Sequence, residues 1–372
     1  MLIAMRRCFG SRLTALAMLL ALLGACASPP ATSPSAPDAT TAPPSPSATT
    51  EASPSAAATS STSPAPEPVA WAQLDASGPS AREDHTWTLD PESGLAYLFG
   101  GRDGATVFGD TWAYDLATDT WTELAPPTAP DARFGHEAVW ATGSGLVIFA
   151  GQAGAAFFGD LWAYDPVGNA WRELAATGAL PTPRYGSCAG IGPDDRLWIS
   201  HGFTQDQVRF SDTRAYDFDS ATWTDETPTD GRPVERCLHG CWWTDGGELA
   251  LYAGQTTGTT ALEDRWTLAD GTWTRVDGTL PAGRNLYART RLDGATLVFG
   301  GQAVDESYLG DLWLLADGSA DAEQIEPVGD GPQPAGRAGA ELIADPERGR
   351  VLLFGGRTTD GALDDLWALA GL

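Results

Sequence analysis

The chain has 372 residues, with 22 basic and 49 acidic side chains and a formal net charge of −27, and every basic residue is Arg. The absence of Lys excludes a Schiff-base lysine and a phosphate-loop lysine, and the acidity argues against a nucleic-acid partner, which is bound by an excess of basic side chains. The 43 Gly and 15 Trp residues indicate an all-β chain with many tight turns.

The first 25 residues are typical of an export signal. Arg6, Arg7 and Arg12 precede an apolar run over residues 13–25, which is too short to span a bilayer but suits the core of a signal peptide. The run ends in Leu-Gly-Ala before Cys26 and resembles a bacterial lipobox, in which the Cys becomes the lipidated first residue. We therefore expect a lipid anchor on Cys26, at the outer face of the cell membrane or at an outer membrane. The alternative is an ordinary secretory signal with an incidental Cys.

Residues 26–68 are predicted to form a disordered linker behind that anchor. Ala, Ser, Thr and Pro make up residues 27–68 except for Asp38, Glu51 and Glu67. Such a segment cannot bury an apolar core, and its many Pro residues keep it extended. We expect it to hold a folded domain, residues 69–372, away from the membrane.

The folded domain contains one motif repeated six times. Each unit opens with Pro-x-x-Arg, continues through a short apolar run into a pair of small residues, and then reaches Asp-x-Trp or a close variant. The Arg residues recur at intervals of 48 to 53 positions: Arg82, Arg133, Arg184, Arg236, Arg284 and Arg337. A fixed period of this length indicates a repeat architecture.

Each unit is predicted to form four short strands. In the first unit they lie near residues 82–89, 95–99, 110–114 and 120–124, separated by turn residues. Four strands in a repeat of about fifty residues are typical of a propeller blade. The sixth unit ends after its third strand, and residues 70–74 match the missing fourth one. The sequence thus predicts an all-β, six-bladed propeller whose N-terminal strand completes the last blade and removes an exposed sheet edge.

The repeated residues carry a family resemblance. The Gly-Gly doublets, Asp-x-Trp-x-Tyr-Asp at residues 110–115 and the Thr-x-x-Trp that follows look like kelch repeats, as found in the galactose oxidase-like superfamily. The resemblance covers residues 69–372. It implies a propeller fold and leaves the function open, because kelch propellers include binding modules, scaffolds and a few enzymes. The Tyr and His copper ligands of galactose oxidase have no counterpart in this pattern, so no cofactor is expected.

Most of the repeated residues are expected to build the fold. The doublet glycines suit a tight exit from the second strand, and the two Trp residues of a blade are expected to pack between neighbouring sheets. Asp110 and its counterparts are expected to accept hydrogen bonds from backbone N–H groups at the start of the third strand.

The six repeated arginines are the first candidate site. Each begins an innermost strand, and because strands alternate in direction, these starts share one face with the loops that join second and third strands. Those loops are residues 102–108, 152–158, 203–210, 255–262, 302–309 and 357–363. The arginines are therefore candidates to rim one mouth of the channel and bind a carboxylate. The alternative, favoured because every repeat carries the Arg, is pairing with a backbone carbonyl or a neighbouring carboxylate.

Further candidates stand three residues after the Arg, where the repeat changes its residue: His85, His136, His239 and Tyr287. They either bind a ligand near the axis or pack between inner strands. Gln152, Gln255 and Gln302 follow the small pair and either donate hydrogen bonds to a ligand or close the turn.

Three cysteines remain after the signal and Cys26. Their odd number outside the cytoplasm predicts one disulfide and one thiol. Cys188 and Cys241 align best, at similar positions on adjacent inner strands, whereas Cys237 and Cys241 are too far apart on one strand. That separation also argues against one zinc ion shared by Cys237, His239 and Cys241. No catalytic motif is present.

These patterns favour a non-enzymatic binding module, a monomer, that binds a glycan, a cell-wall fragment or an envelope protein. The alternative is a carbohydrate-active enzyme resembling the sialic-acid mutarotases, which are also kelch-like propellers. A third hypothesis is a purely structural head on a spacer. A shifted Glu or His pKa near the arginines would favour the enzyme. Exposed Phe157, Phe203 and Tyr308 would favour the binding module.

Overall fold

The structure, a computed structural model, describes residues 68–75, 77–258, 261–329 and 331–372. The predicted signal peptide, Cys26 and all but the last residue of the predicted linker lie outside these residues. Within them the chain forms six large, mainly antiparallel sheets, which we call blades 1 to 6 in chain order, two small two-stranded sheets in loops, and one short 3₁₀ turn at Gln205–Gln207. The predicted all-β, six-bladed propeller is confirmed. No helix among the described residues is long and apolar enough to cross a membrane.

In the first three blades the four main strands follow one another in chain order from the axis outwards. Blade 1 contains Thr86–Asp90, Leu95–Phe99, Thr111–Asp115 and Thr120–Leu124. Blade 2 contains Glu137–Ala141, Gly145–Phe149, Leu161–Asp165 and Ala170–Glu173. Blade 3 contains Cys188–Ile191, Leu197–Ser200, Thr213–Asp217 and Thr222–Asp225, with the short parallel strand Thr177–Gly178 on its outer edge.

The other three blades follow the same order. Blade 4 contains Gly240–Trp243, Leu249–Tyr252, Arg265–Ala269 and Thr272–Val276. Blade 5 contains Ala288–Leu292, Ala295–Gln302, Tyr308–Ala316 and Glu323–Ile325. Blade 6 contains Ala338–Asp345, Arg350–Thr358, Leu366–Ala370 and, from the start of the described chain, Ala70–Leu74. Short strands in the loops are Arg102–Asp103, Thr106–Val107, Gln152–Ala153, Ala156–Phe157 and Gly361–Ala362.

The strand Ala70–Leu74 lies beside the third strand of blade 6. It pairs with Leu366–Ala370 in antiparallel register, with Ala70 opposite Ala370 and Leu74 opposite Leu366. Trp71 on this strand is buried, and its ring lies 5.5 Å from that of Phe299 in blade 5. Residues from the two ends of the folded domain thus share one sheet.

The core lies between neighbouring blades, where an outer Trp meets a Phe from the second strand of the blade before it. Three such ring pairs are separated by 5.1 to 5.4 Å: Trp121 with Phe354, Trp171 with Phe99, and Trp223 with Phe149. Aromatic pairs at this distance contribute packing beyond the area they bury. The contact explains why the outer Trp recurs with the repeat.

The innermost strands begin later than the sequence predicts. Blade 1 was expected to start its first strand near Arg82, but the strand begins at Thr86. The reason is Asp84, whose φ of +55° lies in the left-handed region and interrupts an extended chain. The equivalent residue of every other blade also has positive φ: Gly135, Gly186, Leu238, Leu286 and Gly339.

Those six residues form a closed backbone ring around the axis. The N–H of each donates to the carbonyl of its equivalent in the preceding blade, over N···O distances of 2.8 to 3.1 Å. The last bond runs from Asp84 of blade 1 to Gly339 of blade 6. The ring joins all six blades at one end of the channel and sets where the channel-lining side chains begin.

Candidate functional site

The six repeated arginines are buried within their own blades. In each, the guanidinium makes two parallel hydrogen bonds to the Asp of the Asp-x-Trp segment, over distances of 2.5 to 3.0 Å. The pairs are Arg82–Asp110, Arg133–Asp160, Arg184–Asp212, Arg236–Asp264, Arg284–Asp311 and Arg337–Asp365. None of the six arginines is among the described residues that line the channel.

Each guanidinium also holds the small pair in place. Arg82 Nη1 donates to the carbonyl of Gly100 at 2.9 Å, and its Nε donates to the carbonyl of Ser80 at 2.9 Å. Every Arg in the series repeats both bonds. Pairing with a carbonyl and a neighbouring carboxylate, the alternative that the sequence favoured, is thus the arrangement found, and it joins the first three strands of a blade.

The aspartates in these pairs accept from side chains, whereas the sequence predicted backbone donors. Asp110 accepts from both Nη atoms of Arg82 and, at 2.7 Å, from Trp112 Nε1. Burial alone would raise the pKa of Asp110, but these hydrogen bonds and the charge of Arg82 outweigh it and hold the pKa below its ordinary value. The other five aspartates show the same direction for the same reasons.

A different set of cationic and aromatic side chains lies on the face that carries the variable loops. We call it the loop-face arc and define it by Tyr308, Arg357, Arg102, Phe134, Tyr185, Phe203, Arg209 and Phe157. Its arginines each lie over an aromatic ring: Arg357 over Tyr308 at 5.8 Å, Arg102 over Phe134 at 4.3 Å, and Arg209 over Phe203 at 5.5 Å. Phe203 also contacts Phe157 at 5.8 Å and Tyr185 at 6.4 Å.

The loop-face arc is continuous because Glu83 bridges its two halves. Glu83 pairs with Arg102 at 3.2 Å and with Arg357 at 3.0 Å, so the arc runs from blade 5 through blades 6, 1 and 2 to blade 3. Burial and the neighbouring Asp84 raise the pKa of Glu83 to about 7, against the attraction of the two arginines. Asp84 pairs with Arg102 at 3.0 Å, and burial raises its pKa as well.

The arc is partly exposed to solvent. Arg102, Phe157, Phe203, Arg209, Tyr308 and Arg357 are half-buried, whereas Phe134 and Tyr185 are buried beneath them. Two apolar side chains on the same loops are well exposed, Val208 at 49% and Val304 at 64%. This face therefore combines pre-stacked arginines with accessible apolar surface.

The central channel forms a cavity of about 570 Å³ lined by all six innermost strands. Of the sequence-predicted candidates, His85, His136, His239 and Tyr287 line it. Burial lowers the pKa of His85 to about 3 and that of His136 and His239 well below the ordinary value, with the arginine or histidine charges nearby acting in the same direction. These imidazoles are therefore neutral at physiological pH.

The four candidates differ in how far their polar atoms are satisfied. Tyr287 Oη donates to the carbonyl of Tyr252 and accepts from the N–H of Gly240, both at 2.8 Å. His136 Nε2 lies 2.8 Å from Thr86 Oγ1. Both ring nitrogens of His85 and of His239 lack hydrogen-bond partners in the described part of the chain. Tyr287 and the Nε2 atom of His136 are thus held by hydrogen bonds, whereas His136 Nδ1, like the ring nitrogens of His85 and His239, has no partner in the described part of the chain.

The channel also holds charged residues that the sequence analysis missed. Glu137 in blade 2, Arg289 in blade 5 and Glu341 in blade 6 all line it. Arg289 Nη2 lies 3.8 Å from Glu137 Oε2, and Arg289 Nε donates to the carbonyl of Cys241 at 3.2 Å. Burial raises the pKa of Glu137 and of Glu341 to about 8, despite the opposing charge of Arg289. The signal that could have found them is a charge at a position where other repeats carry small or apolar residues.

Two of the three cysteines form a disulfide, and the third is a free thiol. The Sγ atoms of Cys188 and Cys241 are 2.08 Å apart in a disulfide between the innermost strands of blades 3 and 4. Cys237 is a buried thiol, and burial raises its pKa.

Gln152 donates to the carbonyl of Gly154 at 2.7 Å and closes its own turn. Among the described residues, no group of three His, Cys, Asp or Glu side chains is arranged to hold a metal ion.

Comparison with known protein families adds one finding. A family model described as the KLHDC2/KLHL20/DRC7 Kelch-repeats domain matches residues 65–254, which is half of the chain. The matched part begins before the strand Ala70–Leu74 and extends into blade 4.

Proposed function

The chain belongs to the kelch-repeat propeller family, and from this premise we propose that it is a protein-binding module displayed outside the cytoplasm on a lipid anchor. A kelch propeller suggests a protein-binding module in general. The observation that carries the proposal for this chain is the loop-face arc, two groups of stacked Arg and aromatic side chains that Glu83 bridges, together spanning five blades.

The residue types of the arc fit an interface. Arg, Tyr and Phe are enriched in protein interfaces, and binding energy concentrates in such residues near the centre of a patch. Stacking of Arg209 on Phe203 and of Arg357 on Tyr308 holds these side chains in place before a partner arrives. A pre-ordered side chain loses less conformational entropy on binding. The exposed Val208 and Val304 extend the apolar part of the same face.

The cellular setting is proposed from the N-terminal residues. A lipid on Cys26 would tether the mature protein to the membrane, and the Pro-rich linker would let the propeller reach past it. The partner would then be an envelope protein, with a glycan or a cell-wall fragment as the other ligand classes to test, and the propeller would act as a monomer. Replacing Cys26 with Ala should move the chain from the membrane to the soluble fraction and abolish labelling by a radioactive fatty acid. Unchanged fractionation and labelling would contradict the anchor.

The binding proposal is tested by quantitative capture from envelope extract with the full chain. We expect Phe203→Ala and Arg209→Ala to reduce capture of the specific partner by about tenfold or more, because each removes one half of a stacked pair. Val208→Ala on the loop face should also reduce capture. Its matched control is Val167→Ala, because Val167 is 99% exposed on a turn of the opposite face and its replacement should leave capture unchanged. Equal capture by all four variants and the parent chain would contradict the proposal.

One observation keeps a carbohydrate-active enzyme as the second candidate. Glu83, with its pKa raised to about 7, lies between Arg102 and Arg357, so a titrating carboxyl stands beside two groups that bind carboxylates. An acidic sugar such as a sialic acid would suit this combination. Proton NMR of the full chain with a panel of sugars reports both binding and anomer exchange. Exchange that is accelerated by the parent chain and lost in Glu83→Gln would replace the binding module with a mutarotase-like activity.

A further inference from the structure

A smaller cavity lies on the face opposite the variable loops, in the cleft between blades 3 and 4. Turns that join first to second strands in both blades, and third to fourth strands in blade 4, enclose about 220 Å³. Because pockets for drug-sized ligands begin at roughly 300 Å³, this volume suits a small chemical group. We call the cavity the turn-face cleft and define it by Asp194, Trp198, Glu226, Trp243, Leu268 and Asp270.

Two tryptophan rings form the walls of the turn-face cleft. Trp198 in blade 3 and Trp243 in blade 4 have ring centroids 5.4 Å apart and planes inclined at 78°, so the rings meet in a corner. Both residues are half-buried, and part of each therefore remains accessible to solvent. Arg196 lies over the Trp198 ring at 5.0 Å, which shows that this ring accepts a cation.

The equivalent position between blades 1 and 2 is filled. There Tyr97 and Trp140 stack with planes inclined at only 11°, and Tyr97 is 3% exposed. Tyr164 packs against Tyr97 at 5.5 Å, whereas the residue opposite the outer Trp of blade 4 is the smaller Leu268. Blade 4 also joins its third and fourth strands by two residues where blade 2 uses four. A smaller side chain and a shorter turn thus open a cleft that the repeat itself does not require.

The rim of the turn-face cleft is acidic. Asp194, Glu226 and Asp270 line it, and within the described residues none of its lining side chains is basic. Arg196 pairs from outside the lining with Asp194 and with Glu226, both at 2.7 Å, so one positive charge serves two carboxylates that lie close together. Their side chains remain 37% and 30% exposed, and Asp270 is exposed as well. The accessible charge of the cleft is therefore negative.

We propose that the turn-face cleft binds a quaternary ammonium group. Trp198 and Trp243 supply the aromatic walls, and the three rim carboxylates supply the opposite charge. A cation is attracted to the face of a Trp ring, most strongly where water is excluded. The methyl groups suit the apolar corner and leave no N–H donor without an acceptor there. An anion would face three carboxylates, and a neutral ligand would leave their charge uncompensated. This site is independent of the loop-face arc and of its partner.

The test titrates the full chain with choline and with its uncharged isostere, 3,3-dimethyl-1-butanol. NMR follows the indole N–H of Trp198, which donates to Asp194 Oδ1 at 3.0 Å, and a Trp198→Phe variant assigns that signal. We expect choline to bind about tenfold or more tightly than the alcohol, because only choline carries a charge. Glycerophosphocholine distinguishes the sources of such a group. Tighter binding than choline would indicate a lipid headgroup and weaker binding a free solute, and either supports the proposal.

Variants separate the acidic rim from the apolar corner. Asp270→Asn should weaken choline binding about threefold or more and leave binding of the alcohol unchanged, because it removes charge alone. Its matched control is Asp195→Asn, at an exposed left-handed position outside the cleft lining, which should change choline binding by less than about twofold. Leu268→Tyr restores the side chain that blade 2 carries as Tyr164, and it should fill the cleft and abolish binding of both ligands.

The Asp270→Asn variant should fold, because Asn readily adopts the left-handed backbone that Asp270 has at φ +48°. Equal binding of choline and the alcohol would overturn the proposal. Choline binding that is unchanged in both Asp270→Asn and Leu268→Tyr would place the ligand elsewhere and overturn it as well. So would the lack of any shift of the Trp198 signal at about 100 mM choline, a concentration far above a useful dissociation constant.

Discussion

Arg133 and Asp160 form a two-pronged ion pair inside blade 2, with Nη1 2.7 Å from Oδ1 and Nη2 3.0 Å from Oδ2. The Arg is fully buried and the Asp carboxylate is about three-quarters buried. The pair joins the start of the first strand to the start of the third, and its equivalents recur in every blade. It is the unit that sets the geometry of the loop face.

Breaking one such pair should destabilise the propeller strongly. Asp160→Ala leaves the Arg133 guanidinium buried without its counter-ion, which costs about 3–5 kcal/mol in the free energy of unfolding. Arg133→Lys keeps the charge but loses the parallel hydrogen bonds, so it should also destabilise. Urea denaturation gives the free energies. Arg275→Ala is the matched control, because its pair with Asp277 is exposed and should contribute at most about 1 kcal/mol.

The disulfide should contribute to stability in an oxidising compartment. Cys188 and Cys241 are 53 positions apart, and closing a loop of that length restricts the unfolded chain by about 4 kcal/mol in the entropic treatment. We expect Cys188→Ser and Cys241→Ser to lower the urea midpoint equally, with no added effect of reductant. Cys237→Ser should keep the disulfide and its effect on the urea midpoint, because Cys237 is a buried thiol outside that disulfide. A peptide map that places Cys237 in the disulfide would contradict the assignment.

The channel glutamates should make the propeller less stable as the pH rises. The folded-state pKa of Glu137 and Glu341 is about 8, above the ordinary 4.5, so between these values the folded chain holds protons that the unfolded chain has released. Stability therefore falls from about pH 4.5 to pH 8 and is level above it. Arg289 and Asp84 face the same carboxyls and remain in place. The double variant Glu137→Gln, Glu341→Gln should flatten the decline in melting temperature, and an unaltered pH profile would contradict this.

The blade aspartates should act in the opposite direction at low pH. The pKa of Asp110 and its five equivalents is lowered in the folded state, so their stabilisation is complete above the ordinary value of 3.8 and is lost as pH falls below it. We expect unfolding in acid to begin below about pH 4. Circular dichroism during acid titration measures it, and persistence of the native spectrum at pH 2 would be inconsistent with this role for the pairs.

Closure of the ring by the N-terminal strand stays a prediction, and it can be tested directly. Trp71→Ala should cost about 3–5 kcal/mol, because the ring is buried against Phe299. Deleting residues 69–75 should expose the edge of Leu366–Ala370 and promote self-association, which size-exclusion chromatography would detect. Gln73→Ala, an exposed position on the same strand, serves as control. A deletion variant that stays monomeric and equally stable would show that closure is dispensable.

The sequence alone determined the blade count and the strand order. Pro-x-x-Arg, the small pair and Asp-x-Trp are local signals, and they recur at a period set by four strands and their turns, so six blades could be counted without coordinates. The alignment of Cys188 with Cys241 came from the same period, because equivalent positions of adjacent blades are neighbours in space.

Only the tertiary structure decided which side chains face the channel and which are used within a blade. The residue two positions after each Arg, such as Asp84 or Leu238, has a left-handed backbone conformation and interrupts the two-residue alternation of a strand. The direction of the later side chains therefore cannot be inferred by counting from the Arg. Arg82 therefore turns into the blade towards Asp110, while Glu137, Arg289 and Glu341 converge on the axis from three blades. Their convergence depends on the backbone ring of hydrogen bonds around the axis, which brings together residues that are distant in the chain.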